Sequence, residues 1–494
     1  MKAKSNELNT EGVNLTPRLR ISRILTGLWQ VADIERRSGS IDRELGADQL
    51  QHYVNSGYNT FDMADHYGSS ETIVGTLLKR REKLDYQPII CTKWCPEPGP
   101  MTRKVVRAGI EERLLRLGTS CIDLLQFHWW NFEHPAWLDA LHELSNLRAQ
   151  GIINEIGVTN FDAAHLHLAL ADGIPVKTNQ VSFSLIDRRA RGLLADLCRN
   201  SSVKILAYGT LCGGFLAEKW LGTKEPVKIK DWSKMKYKRF IDSAGGWKKF
   251  QIILRTAAQI ANKHNVSISN IATRWVLEQT GVAGVIIGVR LGENIHINDN
   301  SRVFSFKLDD KDKEELEKAF STSIGIPGDC GDEYRKPPFL TASGDLSHHL
   351  TQKRVSIKKE DVLEKVDKAQ VNTCSEWEDI AGYCRAKRIG NRVLVSGTTA
   401  TAGSSRIIAP NDAGAQATYI LDKILNALTA LGAKAEDVVR TRIYLINEQD
   451  TLAVSMAHGR VFEKIKPANT LVIVQRLVGD YKVEIEAEAE IRHT

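Results

Sequence analysis

YNTFDMADHY, residues 58–67, begins as a strand and ends as a loop. Thr60-Phe61-Asp62-Met63-Ala64 alternates in polarity and carries a β-branched and an aromatic residue, the composition of a short buried strand. Asp65-His66-Tyr67-Gly68 breaks the pattern, and Ser69-Ser70-Glu71 opens an amphipathic helix expected to run to about Arg81. The spacing puts a carboxylate, Asp62, at the carboxyl end of a strand and a phenol, Tyr67, in the loop after it. Two later runs repeat the design. Ile89-Ile90-Cys91-Thr92-Lys93 and Asp123-Leu124-Leu125-Gln126-Phe127-His128 are nearly continuous apolar segments that each end in a polar residue. Strands of a parallel sheet buried on both faces read this way. In barrels of alternating strands and helices, catalytic groups collect at the carboxyl ends of the strands. Asp62, Tyr67, Lys93 and His128 therefore form a candidate acid–base set.

Strand patterns recur at 23–29, 60–65, 88–94, 122–128, 154–160, 176–183, 203–209 and 282–289, with helical patterns such as 103–117 and 135–150 between them. Eight such units imply a (β/α)8 TIM barrel. No G-x-G-x-x-G follows the first strand, which argues against an open dinucleotide-binding sheet. Two insertions break the rhythm: 212–247 after the seventh strand, and 267–281, which adds a helix before the eighth. A last charged helix covers 309–321. Residues 324–350 are rich in Gly, Pro and polar residues, and read as a linker or as a barrel tail that folds over the active face. After Val371 the texture changes to two strands, a long helix, a strand, a helix and two strands, a smaller α+β domain. The expected organisation is a flexible tail at 1–19, the barrel at 20–322, a loop and linker at 323–371 and the second domain at 372–494.

At 494 residues the chain exceeds one ordinary core. Hydrophobic residues at 42% and charged residues at 26% describe a globular protein, and no apolar run reaches the ~18 residues of a membrane helix. The start, MKAKSNELNTEGVNL, lacks the apolar stretch of a secretory signal. Eight cysteines without a C-x-x-C point to reduced thiols, a cytoplasmic setting and no metal site. The net charge of +7 lies entirely before Val371 and suits an anionic cofactor or substrate, with neither nucleic acid nor membrane as a partner. The basic run Lys228, Lys230, Lys234, Lys236, Lys238 and Arg239, interleaved with Trp232, Tyr237 and Phe240, reads as a solvated surface loop.

The segments GYNTFDMADHYGSSE, CTKW, DLLQFHWW, EIGVTNF, NQVSFS and ILAYGTLCGGFL resemble the aldo-keto reductases in order and spacing, over about residues 20–320. The resemblance implies a barrel that reduces a small-molecule carbonyl with a nicotinamide cofactor, with Asp62, Tyr67, Lys93 and His128 as its catalytic tetrad. Physical chemistry supports those roles. A free tyrosine titrates near pH ~10 and becomes an effective acid only beside a cation. Lys93 supplies that cation, Asp62 orients Lys93, and His128 orients the carbonyl oxygen. The resemblance further assigns Thr159, Asn160 and Gln180 to the nicotinamide carboxamide and Tyr208 to stacking on that ring, with Gly209, Leu211 and Gly288 as additional contacts. In IIGVRLGENIHIN, Arg290 corresponds to the cation for an adenosine 2′-phosphate and Asn294 and Asn298 lie beside the adenine, which favours NADP(H) over NAD(H). Trp29, Trp94, Trp129 and Trp130 stand at or just past strand ends and are expected to wall an apolar pocket. A rival reading is a cofactor-sensing regulatory protein whose reductase activity is incidental.

GYCRAKRIGNRVLVSGTTA, DVVRTRIYLIN, PANTLVIVQRL and VEIEAEA resemble the Rid/YjgF-type proteins, the reactive imine and enamine deaminases of chorismate-mutase-like fold. That resemblance implies a homotrimer with ligand clefts between subunits. Deaminating members carry an Arg after Pro-Ala; here the position is Asn469, and a neutral amide lacks the bidentate pairing an Arg makes with a carboxylate. The expected role is a scaffold or small-ligand cleft, with a bifunctional imine- or enamine-handling enzyme as the alternative.

Overall fold

The computed structural model describes residues 10–31, 41–291, 296–335 and 370–492, apart from 374 and 404. The apolar runs form the parallel strands β3 (Ile24–Gly27), β4 (Thr60–Asp62), β5 (Ile89–Trp94), β6 (Ile122–His128), β7 (Ile153–Thr159), β8 (Val176–Ser182), β9 (Lys204–Tyr208) and β10 (Val282–Gly288). β10 pairs with both β9 and β3, so the sheet closes into a barrel. Closure leaves no unpaired edge, and the helices that follow the strands bury its outer face.

Side chains alternate in and out along each strand. Cys91 and Lys93 of β5 face the interior, as do Leu124, Gln126 and His128 of β6; Ile90, Trp94, Leu125 and Phe127 pack into the outer layer beneath the helices. The interior is so full that a Cβ on Gly157 of β7 would stand 2.2 Å from Thr178 Oγ1, so only glycine serves there.

Two segments differ from the sequence reading. Across the expected boundary between tail and barrel, an antiparallel hairpin, β1 (Gly12–Thr16) and β2 (Leu19–Ser22), places Leu15, Leu19 and Ile21 against Leu25, Leu124, Leu206 and Ile286 at the amino-terminal mouth of the barrel. The signal was the alternation of Val13 and Leu15, then Leu19 and Ile21, across a turn. The basic run is not a solvated loop either. It contains the helix Trp232–Ser243, capped by Asp231, with Lys236, Tyr237, Phe240 and Ile241 buried along one stripe. Burying that stripe outweighs the solvation of its flanking charges.

The second domain has a six-stranded sheet ordered β11 (Gln370–Val371), β12 (Ala386–Ile389), β13 (Arg392–Thr398), β18 (Val483–Glu490), β16 (Val438–Leu445) and β17 (Ala468–Ile473), with β14 (Thr401–Ala402) and β15 (Arg406–Ile407) as a separate pair. Val483, Ile485, Ala487 and Ala489 are buried on the side where the helix Ala413–Ala430 packs. The same helix packs against the barrel helix Ala163–Ala171 and joins the two domains. No helix among the described residues is long and apolar enough to cross a membrane.

Candidate functional site

Asp62 and Lys93 face each other across adjacent strands. Lys93 Nζ lies 2.7 Å from both Asp62 oxygens and 3.1 Å from the Met63 carbonyl, and both side chains are about 2% exposed. Gln180 and Gln126 donate to Asp62 Oδ1 at 2.7 and 3.2 Å. A buried pair is tolerated only when its remaining hydrogen-bond capacity is met, and the two glutamines meet it.

Tyr67 stands on the loop after β4, with Lys93 Nζ 4.9 Å from the centroid of its ring. Trp29 and His66 contact it edge-on at 5.0 and 4.9 Å. The loop is anchored below. Asp65 pairs with His66 Nδ1 at 2.8 Å and accepts from the Cys95 amide at 2.9 Å. Burial opposes ionisation of Asp65, but His66, Arg113 and that amide offset it and hold the carboxyl at about 2. Glu71 accepts from Thr92 Oγ1 at 2.6 Å and tethers the helix Ser70–Leu78 to β5.

Asp62, Tyr67, Lys93 and His128 line one cavity of about 640 Å³, together with Trp29, Thr159, Asn160, Gln180, Tyr208, Gly209, Leu211, Gly288 and Arg290. Asn160 adopts a left-handed backbone (φ 58°), which asparagine tolerates better than most residues. This turn aims its Nδ2 at His128 Nε2, 3.2 Å away, and its Oδ1 at Tyr208 OH, 2.9 Å away. Burial, reinforced by Tyr334 and Glu333, pushes the Tyr208 phenol well above its ordinary value, so it remains a donor. Thr159 Oγ1 is buried with no hydrogen-bond partner. An unmet hydroxyl beside Asn160 on the cavity wall is a group that the amide of a ligand would satisfy. At the far end Arg290 donates to Gln30 Oε1 at 2.9 Å and pairs with Asp231, which also holds Lys234 at 3.0 Å.

Strand parity corrects the aromatic wall. Trp94 follows the inward Lys93 and therefore points outward, against Gly109 on the helix Arg103–Leu117. Trp129 follows His128 and turns outward onto Phe127 and His134. Trp29 lines the cavity, and Trp130 contacts the His128 ring at 5.2 Å. Asn298 is exposed; Asp299 and Asn300 line the cavity in its place. Asn294 lies outside the described residues.

Several site residues have no obvious sequence signal. The short helix Asp332–Arg335 reaches the mouth of the barrel, the placement expected of a tail rather than a linker. Tyr334 sits 5.2 Å from the His128 ring and accepts from Lys236 Nζ at 2.5 Å. Glu333 lies 3.0 Å from Tyr208 OH and 2.9 Å from Arg189. Burial alone would raise the Glu333 carboxyl, but Arg189 and Lys236 hold it below its ordinary value. Residues 336–350 of the expected tail lie outside the described residues.

Residues 23–320 match the model described as the Aldo/keto reductase family, and residues 373–491 match the one described as Endoribonuclease L-PSP, the Rid/YjgF type. The aldo-keto reductase YhdN of Bacillus subtilis is 25% identical over 338 residues, 65% of this chain and 96% of that protein. The NADH-specific methylglyoxal reductase of Escherichia coli is 25% identical over 333 residues, 60% of this chain and 94% of that protein. Among solved structures, the glycerol dehydrogenase AKR11B4 of Gluconobacter oxydans is alike in fold, with a TM-score of 0.54 at 24% identity, covering 65% of this chain and 98% of that one.

Proposed function

We propose, for a chain that belongs to the aldo/keto reductase family and carries a Rid/YjgF-type domain after its barrel, the reduction of a small aldehyde or ketone with NADP(H). The cofactor, when bound, supplies the hydride. Thr159 and Asn160 hold its carboxamide, Tyr208 backs the ring, and Arg290 meets the 2′-phosphate after exchanging Asp231 for it. Tyr67 donates the proton to the carbonyl oxygen. Lys93 stabilises the negative charge that develops on the phenol oxygen, Asp62 aims Lys93, and His128 orients the substrate. Trp29, Trp130 and Tyr334 offer apolar surface around the carbonyl, which suits an apolar or aromatic substrate.

The observation that carries this reading is the buried Lys93–Asp62 pair with its ammonium 4.9 Å from the Tyr67 ring. Tyr67→Phe should lower kcat by about a thousandfold while NADPH binding, read by fluorescence quenching, is retained. Turnover near the wild-type rate would overturn the assignment. Measurable turnover across an aldehyde and ketone panel also separates an enzyme from a cofactor sensor.

For the second domain we infer a homotrimer. β17 is the edge of its sheet, and its Val472 and Ile473 are exposed apolar residues, the kind of surface that association covers. Imine deamination is disfavoured, because Asn469 is engaged by Thr441 Oγ1 at 3.1 Å and Arg442 by Glu486 at 2.9 Å. No two of the seven described cysteines are disulfide-linked, and we read a reducing compartment such as the cytoplasm.

A further inference from the structure

The segment that roofs the catalytic face is tied to the second domain. Arg335 donates to the Asn160 carbonyl at 2.6 Å and lies 3.3 Å from Asp162 Oδ2. Asp162 holds His165 Nδ1 with both oxygens at 2.8 Å, and the opposite nitrogen, Nε2, lies 2.9 Å from Asp422 Oδ2 of the helix Ala413–Ala430. An imidazole flanked by a carboxylate at each nitrogen acts as a double donor. Phe132 runs parallel to this line. It stacks on the His165 ring at 3.6 Å, and the Arg335 guanidinium lies over the same phenyl ring at 4.8 Å. Asp162, His165 and Asp422 are each less than 5% exposed, so their charges interact with little solvent screening. At the other end, Arg335 is next in sequence to Tyr334 and Glu333, which touch His128 and Tyr208.

Two other links between the domains lack such a path. His167–Asp412 at 2.7 Å and Arg406–Asp139 at 2.9 Å join side chains that do not line the cavity, Arg406 from the strand Arg406–Ile407 and Asp412 from the cap of the helix Ala413–Ala430. They serve as internal controls for contact between domains as such.

We propose that Asp422 of the second domain is a positioning residue for the barrel's reaction: through His165 and Asp162 it holds Arg335, and so seats Glu333 and Tyr334 against His128 and Tyr208. The Rid-type domain thereby completes the substrate roof of the reductase. This rests on the reductase reading above for its kinetic consequence, and on geometry alone for its structural one.

The test uses the full-length chain with NADPH and 4-nitrobenzaldehyde as probe, beside hydrogen exchange of the peptide covering 326–335. Asp422→Asn should raise exchange in that peptide and raise KM for the probe by about fivefold, with NADPH affinity unchanged. Asp412→Asn should change none of the three. Arg335→Ala should raise KM at least as much, and Asp422→Asn should add nothing on top of it, as two steps of one line require. Wild-type exchange and KM in Asp422→Asn, or effects that multiply in the double variant, would overturn the proposal. If Asp422→Asn does not fold, His165→Gln takes its place with the same readouts. A wild-type chain that turns over no carbonyl strikes the reductase reading instead, and the exchange comparison then still decides whether Asp422 holds the roof.

Discussion

Both domains present a basic side chain against carboxylates, yet in different settings. In the barrel, Lys93 and Asp62 are sealed from water at the end of a cavity, with two glutamines completing the carboxylate and a phenol beside the ammonium. In the second domain, Arg442 reaches Glu486 and Glu488 at 2.9 and 3.0 Å on an open sheet face, where all three are more than a fifth exposed. The residue types differ little; the surroundings do. Water screens the second set, so it neither stabilises much nor perturbs a neighbour. Exclusion of water and convergence of partners, rather than the presence of charge, make the first set a chemical device.

After Tyr67→Phe, the largest effect should come from Lys93→Met. It leaves Asp62 buried and uncompensated, and should cost about 3–5 kcal/mol in urea unfolding. It should also remove most turnover. A variant as stable as the wild type would show that water reaches the pair and would erase the contrast. Next, Arg290→Ala should raise KM for NADPH by about tenfold and leave KM for NADH nearly unchanged, since a charge-assisted contact to one phosphate is lost. The competing carboxylate Asp231 gives this test a second outcome: a chain that already prefers NADH would show that the Asp231–Arg290 pair persists when the cofactor binds.

The interface between the domains predicts a pH profile. Burial opposes the charge on His165, but Asp162 and Asp422 offset it and raise its value above that of a free imidazole. Its contribution to stability is therefore present below about pH 6.5 and is lost as pH rises through the raised value. Asp162 is shifted the other way. Burial works against ionisation, but His165, Arg335 and Arg460 hold its carboxyl well below the usual range. That contribution is present above the ordinary carboxylate range and is lost as pH falls through the lowered value. Thermal midpoints should peak between these limits, and His165→Gln should flatten the alkaline side. The smallest effect is expected from Arg442→Ala, whose urea midpoint should match the wild type, because its partners remain solvated. A clear loss there would mean that this sheet face is covered rather than solvated.

Much of the barrel was legible in one dimension because a parallel strand buried on both faces has a distinctive signature: an apolar run, a polar terminus, then a helix. The eight runs and the placement of Asp62, Lys93 and His128 on one rim follow from that pattern and from a period of two. The same period carried the correction for Trp94 and Trp129, which stand one residue after inward side chains and so must point outward. The hairpin β1–β2 was also written in alternation, though its polar flanks obscured it.

Other features have no one-dimensional trace. Gln126 reads as one polar residue in an apolar run, and becomes a partner of Asp62 only when neighbouring strands fix the register. Lys236 belongs to a basic run that looks solvated, yet helix formation buries it beside Tyr334. Asp422 is 257 residues from His165, and nothing local in either segment anticipates the other. Alternation and propensity are properties of neighbours along the chain and survive in its order. Pairings between distant side chains depend on which surfaces close-packing brings together, and that is settled only when the whole chain has folded.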